Sequence, residues 1–139
     1  MLRWITLFCA SVVFHSHADL LVEQASLRLL PPGVPNTAAY FELHNSGEQA
    51  EVIVSAAVSP DIARSVEIHN HIMDGESMRM ERVDELSVAP GETIKFMPGG
   101  LHLMVFGLQK PLSEGQVVQF ELTTKADHKV VFDAKVSRP

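Results

Sequence analysis

Three short stretches carry side chains able to do chemistry together: His69-Asn70-His71, Met78-Arg79-Met80 and His102-Leu103-Met104. Each holds two donors at positions i and i+2. On a β-strand residues two apart project to the same face, so each stretch offers its two donors side by side. Imidazole nitrogen and thioether sulfur are neutral donors, and soft sulfur ligands favour Cu(I). Mg²⁺ and Ca²⁺ prefer oxygen, structural zinc takes thiolates or several imidazoles, and a blue-copper electron-transfer site needs a cysteine ligand. Taken singly, a methionine at alternate strand positions is ordinary core filler and a strand histidine is ordinarily exposed or satisfied. The clustering is what departs from this: of six methionines, Met73, Met78, Met80 and Met104 lie in or beside the three stretches.

Between the first two stretches stands Asp74-Gly75, a signal for a two-residue type I′ hairpin turn. With these as the loop residues, Met73 opposes Glu76, His71 opposes Met78 and His69 opposes Met80, all on one face. Directly opposed Cβ atoms lie about 4.5–5.5 Å apart, near enough for the side chains to share an ion. Glu67 and Glu76 flank the cluster and are positioned to orient an imidazole or shield charge. His44 at a strand end and His128 in a polar turn read as solvated.

The elements that must position these residues alternate with period two. Segments 21–29, 38–44, 51–59, 65–73, 76–83, 93–97, 101–107, 117–124 and 129–136 read as strands. Pro31-Pro32-Gly33, Asn45-Ser46-Gly47, Pro60-Asp61, Pro90-Gly91 and Pro98-Gly99-Gly100 punctuate them, and Asp127-His128-Lys129 reads as a hairpin tip. No stretch shows a three-turn helix, and there is no repeat, low-complexity tract or linker. The fold class expected is all-β, a Greek-key β-sandwich of about eight or nine short strands.

Residues 1–18 read as a cleaved signal peptide: Arg3, an apolar run from Trp4 to Phe14, then Ser16-His17-Ala18 as a cleavage site. Phe8 before Cys9 argues against a lipoprotein anchor, which wants a small residue there. Cleavage after Ala18 leaves one domain, residues 19–139, without a thiol, as suits an oxidising compartment such as the periplasm. The 139-residue chain has a net charge of -6, a poor balance for nucleic-acid binding, and 46% apolar residues, as in ordinary globular chains. No apolar run reaches the roughly 20 residues of a membrane helix, so stable membrane insertion is not expected. The enzyme motifs G-x-S-x-G, H-E-x-x-H and the P-loop are absent.

The spacing from His69 to Met80, His102 and Met104 resembles the H-x10-M-x21-H-x-M signature of the periplasmic PCuAC copper-chaperone family. Val66-Glu67-Ile68-His69, Asp74-Gly75 and Pro98-Gly99-Gly100-Leu101-His102-Leu103-Met104 are similar as well, and the resemblance runs through nearly all of residues 19–139. It implies a cupredoxin-like fold and one Cu(I) per chain held by His69, Met80, His102 and Met104, with His71, Met73 and Met78 as neighbours or stand-ins. It further implies delivery toward the copper subunit of cytochrome c oxidase, often beside a Sco-type thiol protein. Some members add a His- and Met-rich tail for extra copper; here the sequence reads Val136-Ser137-Arg138-Pro139, so a single site is expected. Periplasmic copper storage or detoxification would use the same site, and a metal-free secreted binding module would bury the methionines in its core.

Overall fold

A computed structural model describes residues 19–139; the expected signal segment 1–18 lies outside the described residues. Ten strands follow one another: β1 (Leu20–Arg28), β2 (Thr37–Asn45), β3 (Glu51–Val58), β4 (Ala63–Asp74), β5 (Ser77–Arg82), β6 (Leu86–Val88), β7 (Thr93–Phe96), β8 (His102–Leu108), β9 (Val117–Thr124) and β10 (Lys129–Ser137). Among the described residues no helix is long and apolar enough to cross a membrane.

The pairings run β5-β4-β8-β2-β1-β10-β9-β3-β6, with β7 paired to β2. A bridge between Ala56 of β3 and Val66 of β4 joins the run to itself, so the expected sandwich is one barrel-like sheet. All neighbouring pairs are antiparallel except β1 with β10. The count exceeds the expected eight or nine strands because β6 was not foreseen. At three residues it shows too little alternation to read, and it exists by pairing Leu86, Ser87 and Val88 with Ile53, Val52 and Glu51 on β3.

Strict alternation explains which face is which. On β2, Thr37, Ala39, Phe41, Leu43 and Asn45 point inward, and on β10 Val130, Phe132, Ala134 and Val136 do. Phe41 stacks on Phe96 with ring centroids 4.2 Å apart and meets Phe132 at 4.8 Å, giving the core an aromatic centre. Buried Asn45 has its amide satisfied: Nδ2 donates to the carbonyls of Gln49 and Val88, tying the β2 end to β6, and Oδ1 accepts from Gly47 N–H.

The same rule on β4 and β8 sends Val66, Ile68, Leu103 and Val105 into the core. It leaves Glu67, His69 and His71 of β4 and His102, Met104 and Phe106 of β8 on the opposite, outer face. That face, with the sheet-edge strand β5 beside it, carries the candidate site.

Candidate metal centre

Two turns set the geometry. The β4–β5 hairpin closes through Gly75 and Glu76, since Asp74 already pairs with Ser77. Only Gly75 has positive φ there, +67°, the pattern of a type II′ turn, whereas type I′ needs positive φ at both loop positions. This corrects the expected register. Met73 opposes Met78, His71 opposes Met80 and His69 opposes Arg82. Glycine takes the first loop position rather than the second, so the loop moves one residue along the chain and every partner on β5 moves by two. A shift of two preserves the face, so the histidines and methionines still project together.

The second turn, Met97-Pro98-Gly99-Gly100, leads into β8. Gly99 has φ +82°, and Gly100 N–H donates to the Met97 carbonyl at 3.0 Å, a type II turn with proline and glycine where that turn wants them. The Gly100 carbonyl then accepts the Nδ1–H of His102 at 2.9 Å. A carbonyl can only accept, so this bond puts the ring proton on Nδ1 and leaves the Nε2 lone pair free. His102 is 3% exposed. Burial, helped by the nearby His71 and His69 rings, holds its pKa below the ordinary value of 6.5 against the Gly100 bond, which favours the charged form. A buried neutral imidazole with one nitrogen tied to a carbonyl is the usual state of a metal-binding histidine.

His69 lies directly across from His102 on the β4–β8 ladder, with ring centroids 6.0 Å apart. Its Nε2 donates to the Glu67 carboxylate at 2.8 Å, and Arg82 holds the other carboxylate oxygen at 3.3 Å. Of the roles open to Glu67, the structure shows the orienting one. In the neutral ring the proton sits on Nε2, and Nδ1 turns a lone pair toward Met80 Sδ, 3.3 Å away. In zinc sites the bond to nitrogen is about 2.0 Å and to sulfur about 2.3 Å, so two such donors sharing one ion tetrahedrally lie roughly 3.5 Å apart. The His69–Met80 separation fits that bite.

His71 sits one step further along β4, its ring centroid 5.1 Å from that of His102. Its Nδ1 is buried with no hydrogen-bond partner. An unpaired buried ring nitrogen is costly, and an ion among these donors would satisfy it. His71, Met80, His102 and Met104 line a cleft of about 270 Å³ whose other wall includes Arg28, Leu30, Asn36 and Tyr40. His69 is not among its lining residues; it reaches the group through Met80 and His102. Met104 stands between Glu67 on β4 and Ala38 on β2. Met73 and Met78 lie outside the cleft, exposed near the hairpin tip.

Among the described residues, no group of three or more His, Cys, Asp or Glu is arranged to hold a metal. An ion here would need the thioethers, which suits a soft monovalent cation better than zinc or calcium. The wall formed by Arg28 and Tyr40 had no sequence signal, because it depends on which strands become neighbours. Of the two remaining histidines among the described residues, His44 Nδ1 bonds Thr93 Oγ1 at 2.8 Å. His128 departs from the solvated reading: its side chain is 19% exposed and its Nδ1 lies 3.5 Å from Glu51 Oε1, because the β9–β10 turn folds back over the start of β3.

Residues 20–136 match the family model described as "Putative lipoprotein LpqE-like". "Putative lipoprotein Lxx21020" of Leifsonia xyli subsp. xyli is 31% identical over 87 residues, 62% of this chain and 51% of that protein. The chain therefore spans about half the length of this curated relative. Both names speak of lipoproteins, whereas Phe8 argued against an anchor at Cys9; that segment lies outside the described residues. Among solved structures, the copper-bound PCuAC domain from PmoF2 superposes with a TM-score of 0.72 at 22% identity, covering 90% of this chain and 97% of that one, a likeness of fold. The Cu(I) form of DR1885 from Deinococcus radiodurans is 30% identical with a TM-score of 0.63, covering 82% and 75%. Its apo form is 25% identical with a TM-score of 0.67, covering 100% and 92%. The chain belongs to the LpqE-like family, and its fold is the all-β, cupredoxin-like fold of PCuAC domains.

Proposed function

We propose that this protein is an exported Cu(I) carrier that holds one ion among His69, Met80, His102 and Met104 and passes it on by ligand exchange. The observation that carries the reading is the pairing of a free imidazole lone pair with a thioether sulfur, His69 Nδ1 to Met80 Sδ at 3.3 Å, beside a buried, neutral His102. The likeness to a Cu(I)-bound structure at 30% identity supports the choice of ion.

The donor set suits a carrier. Neutral thioethers hold Cu(I) less firmly than thiolates, so an acceptor bearing thiolates draws the ion away. Sulfur from the acceptor bonds the ion while a Met80 or Met104 bond breaks, and no electron is transferred. Met80 is 47% exposed on an edge strand, open to such an approach. A Sco-type thiol protein and the copper subunit of cytochrome c oxidase are the acceptors with this chemistry. The role is binding and donation, with no reaction catalysed. The compartment is the periplasm, reached through cleavage after Ala18. The intact mass of the exported protein checks this, because a lipid-modified Cys9 would replace the Ala18 cut if the lipoprotein names apply.

Anaerobic Cu(I) titration against a chromophoric chelator tests the site. One equivalent bound by the parent and lost in the His102→Ala plus Met104→Ala variant is the expected result. Equal binding by both would overturn the assignment. A deletion strain with defective cuproenzymes indicates delivery; one with intact cuproenzymes and copper sensitivity indicates storage.

A further inference from the structure

The hairpin carries more thioether than the four-donor site uses. β4 and β5 stack three rungs on the site's face: His69 with Arg82, His71 with Met80, and Met73 with Met78. Successive rungs lie roughly 6.7 Å apart along the strands, and opposed Cβ atoms about 4.5–5.5 Å across them. Among the methionines of the two outer rungs exposure rises, from 47% at Met80 to 58% at Met78 and 64% at Met73, against 3% at His102 on the neighbouring β8. Met73 and Met78 therefore contribute little to the core, yet they face each other. Between them and the inner donors stands His71, whose buried Nδ1 has no hydrogen-bond partner.

Resting on the reading of the inner site as a Cu(I) site, we propose that Met73 and Met78, with His71, form a second, outer Cu(I) position through which the ion reaches and leaves the inner one. The step is a ligand exchange. Bonds from His71 and from Met78 and Met73 form as those from His69, His102 and Met104 break, while Met80, opposite His71, keeps hold of the ion until the exchange is complete. Copper stays monovalent throughout. The incoming and outgoing ligands are neutral lone-pair donors, so no proton is released. The outer position is the weaker of the two, because its thioethers sit on exposed, rotamer-rich side chains that must be ordered to bind. Weak holding at the exposed end is what lets an acceptor's thiolate take the ion there.

The test follows the methionine methyl groups of the exported chain, labelled with carbon-13, by NMR during anaerobic Cu(I) addition. The Met80 and Met104 methyls are expected to shift with the first equivalent, and those of Met73 and Met78 with further copper. A Met73→Leu plus Met78→Leu variant keeps apolar bulk and loses sulfur. It should still show the Met80 and Met104 shifts but lose the later uptake and hand copper to a dithiol chelator several-fold more slowly. If Met80 and Met104 shift while Met73 and Met78 do not, or if the leucine variant transfers as fast as the parent, the outer position is refuted. If Met80 and Met104 also stay still, the inner-site reading fails and the outer position falls with it.

Discussion

Replacing Glu67 with glutamine removes the charge that orients His69 while keeping nearly the same shape. The carboxylate accepts from His69 Nε2 at 2.8 Å, which fixes the tautomer that aims Nδ1 at Met80. The glutamine amide oxygen can still accept from Nε2 but carries no charge, so the bond is weakened rather than lost, where outright loss of such a partner typically lowers metal affinity by about 10–100-fold. Glu67 is 30% exposed and shares its charge with Arg82 at 3.3 Å, so water and the arginine already dilute its hold on the ring. The expected effect therefore sits at the low end, about tenfold, or about 1.4 kcal/mol. The fold should hardly notice, since an exposed ion pair contributes about 0–1 kcal/mol. Competition with a chromophoric Cu(I) chelator gives the affinity, and urea unfolding of the apo-protein gives the stability. Affinity within about twofold of the parent would refute the reasoning, as that is well under the range for such partners. So would a loss of affinity that merely tracks a large loss of stability.

Other outcomes follow from the same geometry. Gly75→Ala should destabilise the apo-protein by about 1 kcal/mol or more and weaken copper binding, because φ at Gly75 is +67° and Met80 depends on this turn for its place; chelator competition and thermal unfolding check it. Nothing lies within 4 Å of an added Cβ there, so the cost is backbone alone. Phe41→Ala should cost about 3–5 kcal/mol in urea unfolding, since Phe41 is 2% exposed and packs on Phe96 and Phe132. The His102 pKa lies below 6.5 in the folded chain, so as pH falls the unfolded chain takes up that proton first. Apo stability from this group is then full above 6.5, declines below it by at most about 1.4 kcal/mol per pH unit, and levels off beneath the folded pKa. Urea unfolding across that range should show a steeper decline in the parent than in His102→Gln.

Much of this arrangement was readable before any coordinates, for reasons particular residues make plain. β2 was readable as a strand between Pro31-Pro32-Gly33 and Asn45-Ser46-Gly47, whereas its inner face was not, because Ala38-Ala39 and Tyr40-Phe41 put apolar residues on both faces. The i, i+2 spacing of His69 with His71 and of His102 with Met104 settles which face they share, because strand geometry is local. The hairpin register was not readable, since it turns on whether Gly75 takes the first or second loop position, and either choice keeps the same residues on the same face. Nor does spacing reveal that β8 lies beside β4 and sets His102 against His69; that contact is formed across more than thirty residues by burial of Val66, Ile68, Leu103 and Val105. The orienting role of Glu67 had a signal, its place two residues before His69. The solitary Nδ1 of His71 had none, because it depends on how tightly three strands close over the ring.

The most direct measurement is copper X-ray absorption on the protein loaded with one equivalent of Cu(I). A first shell mixing thioether sulfur at about 2.3 Å with imidazole nitrogen at about 2.0 Å is the predicted result. Its sulfur contribution should fall when Met80 and Met104 are replaced by leucine. A shell of nitrogen and oxygen alone, or sulfur unchanged by those two substitutions, would contradict the assignment of this face as the copper site.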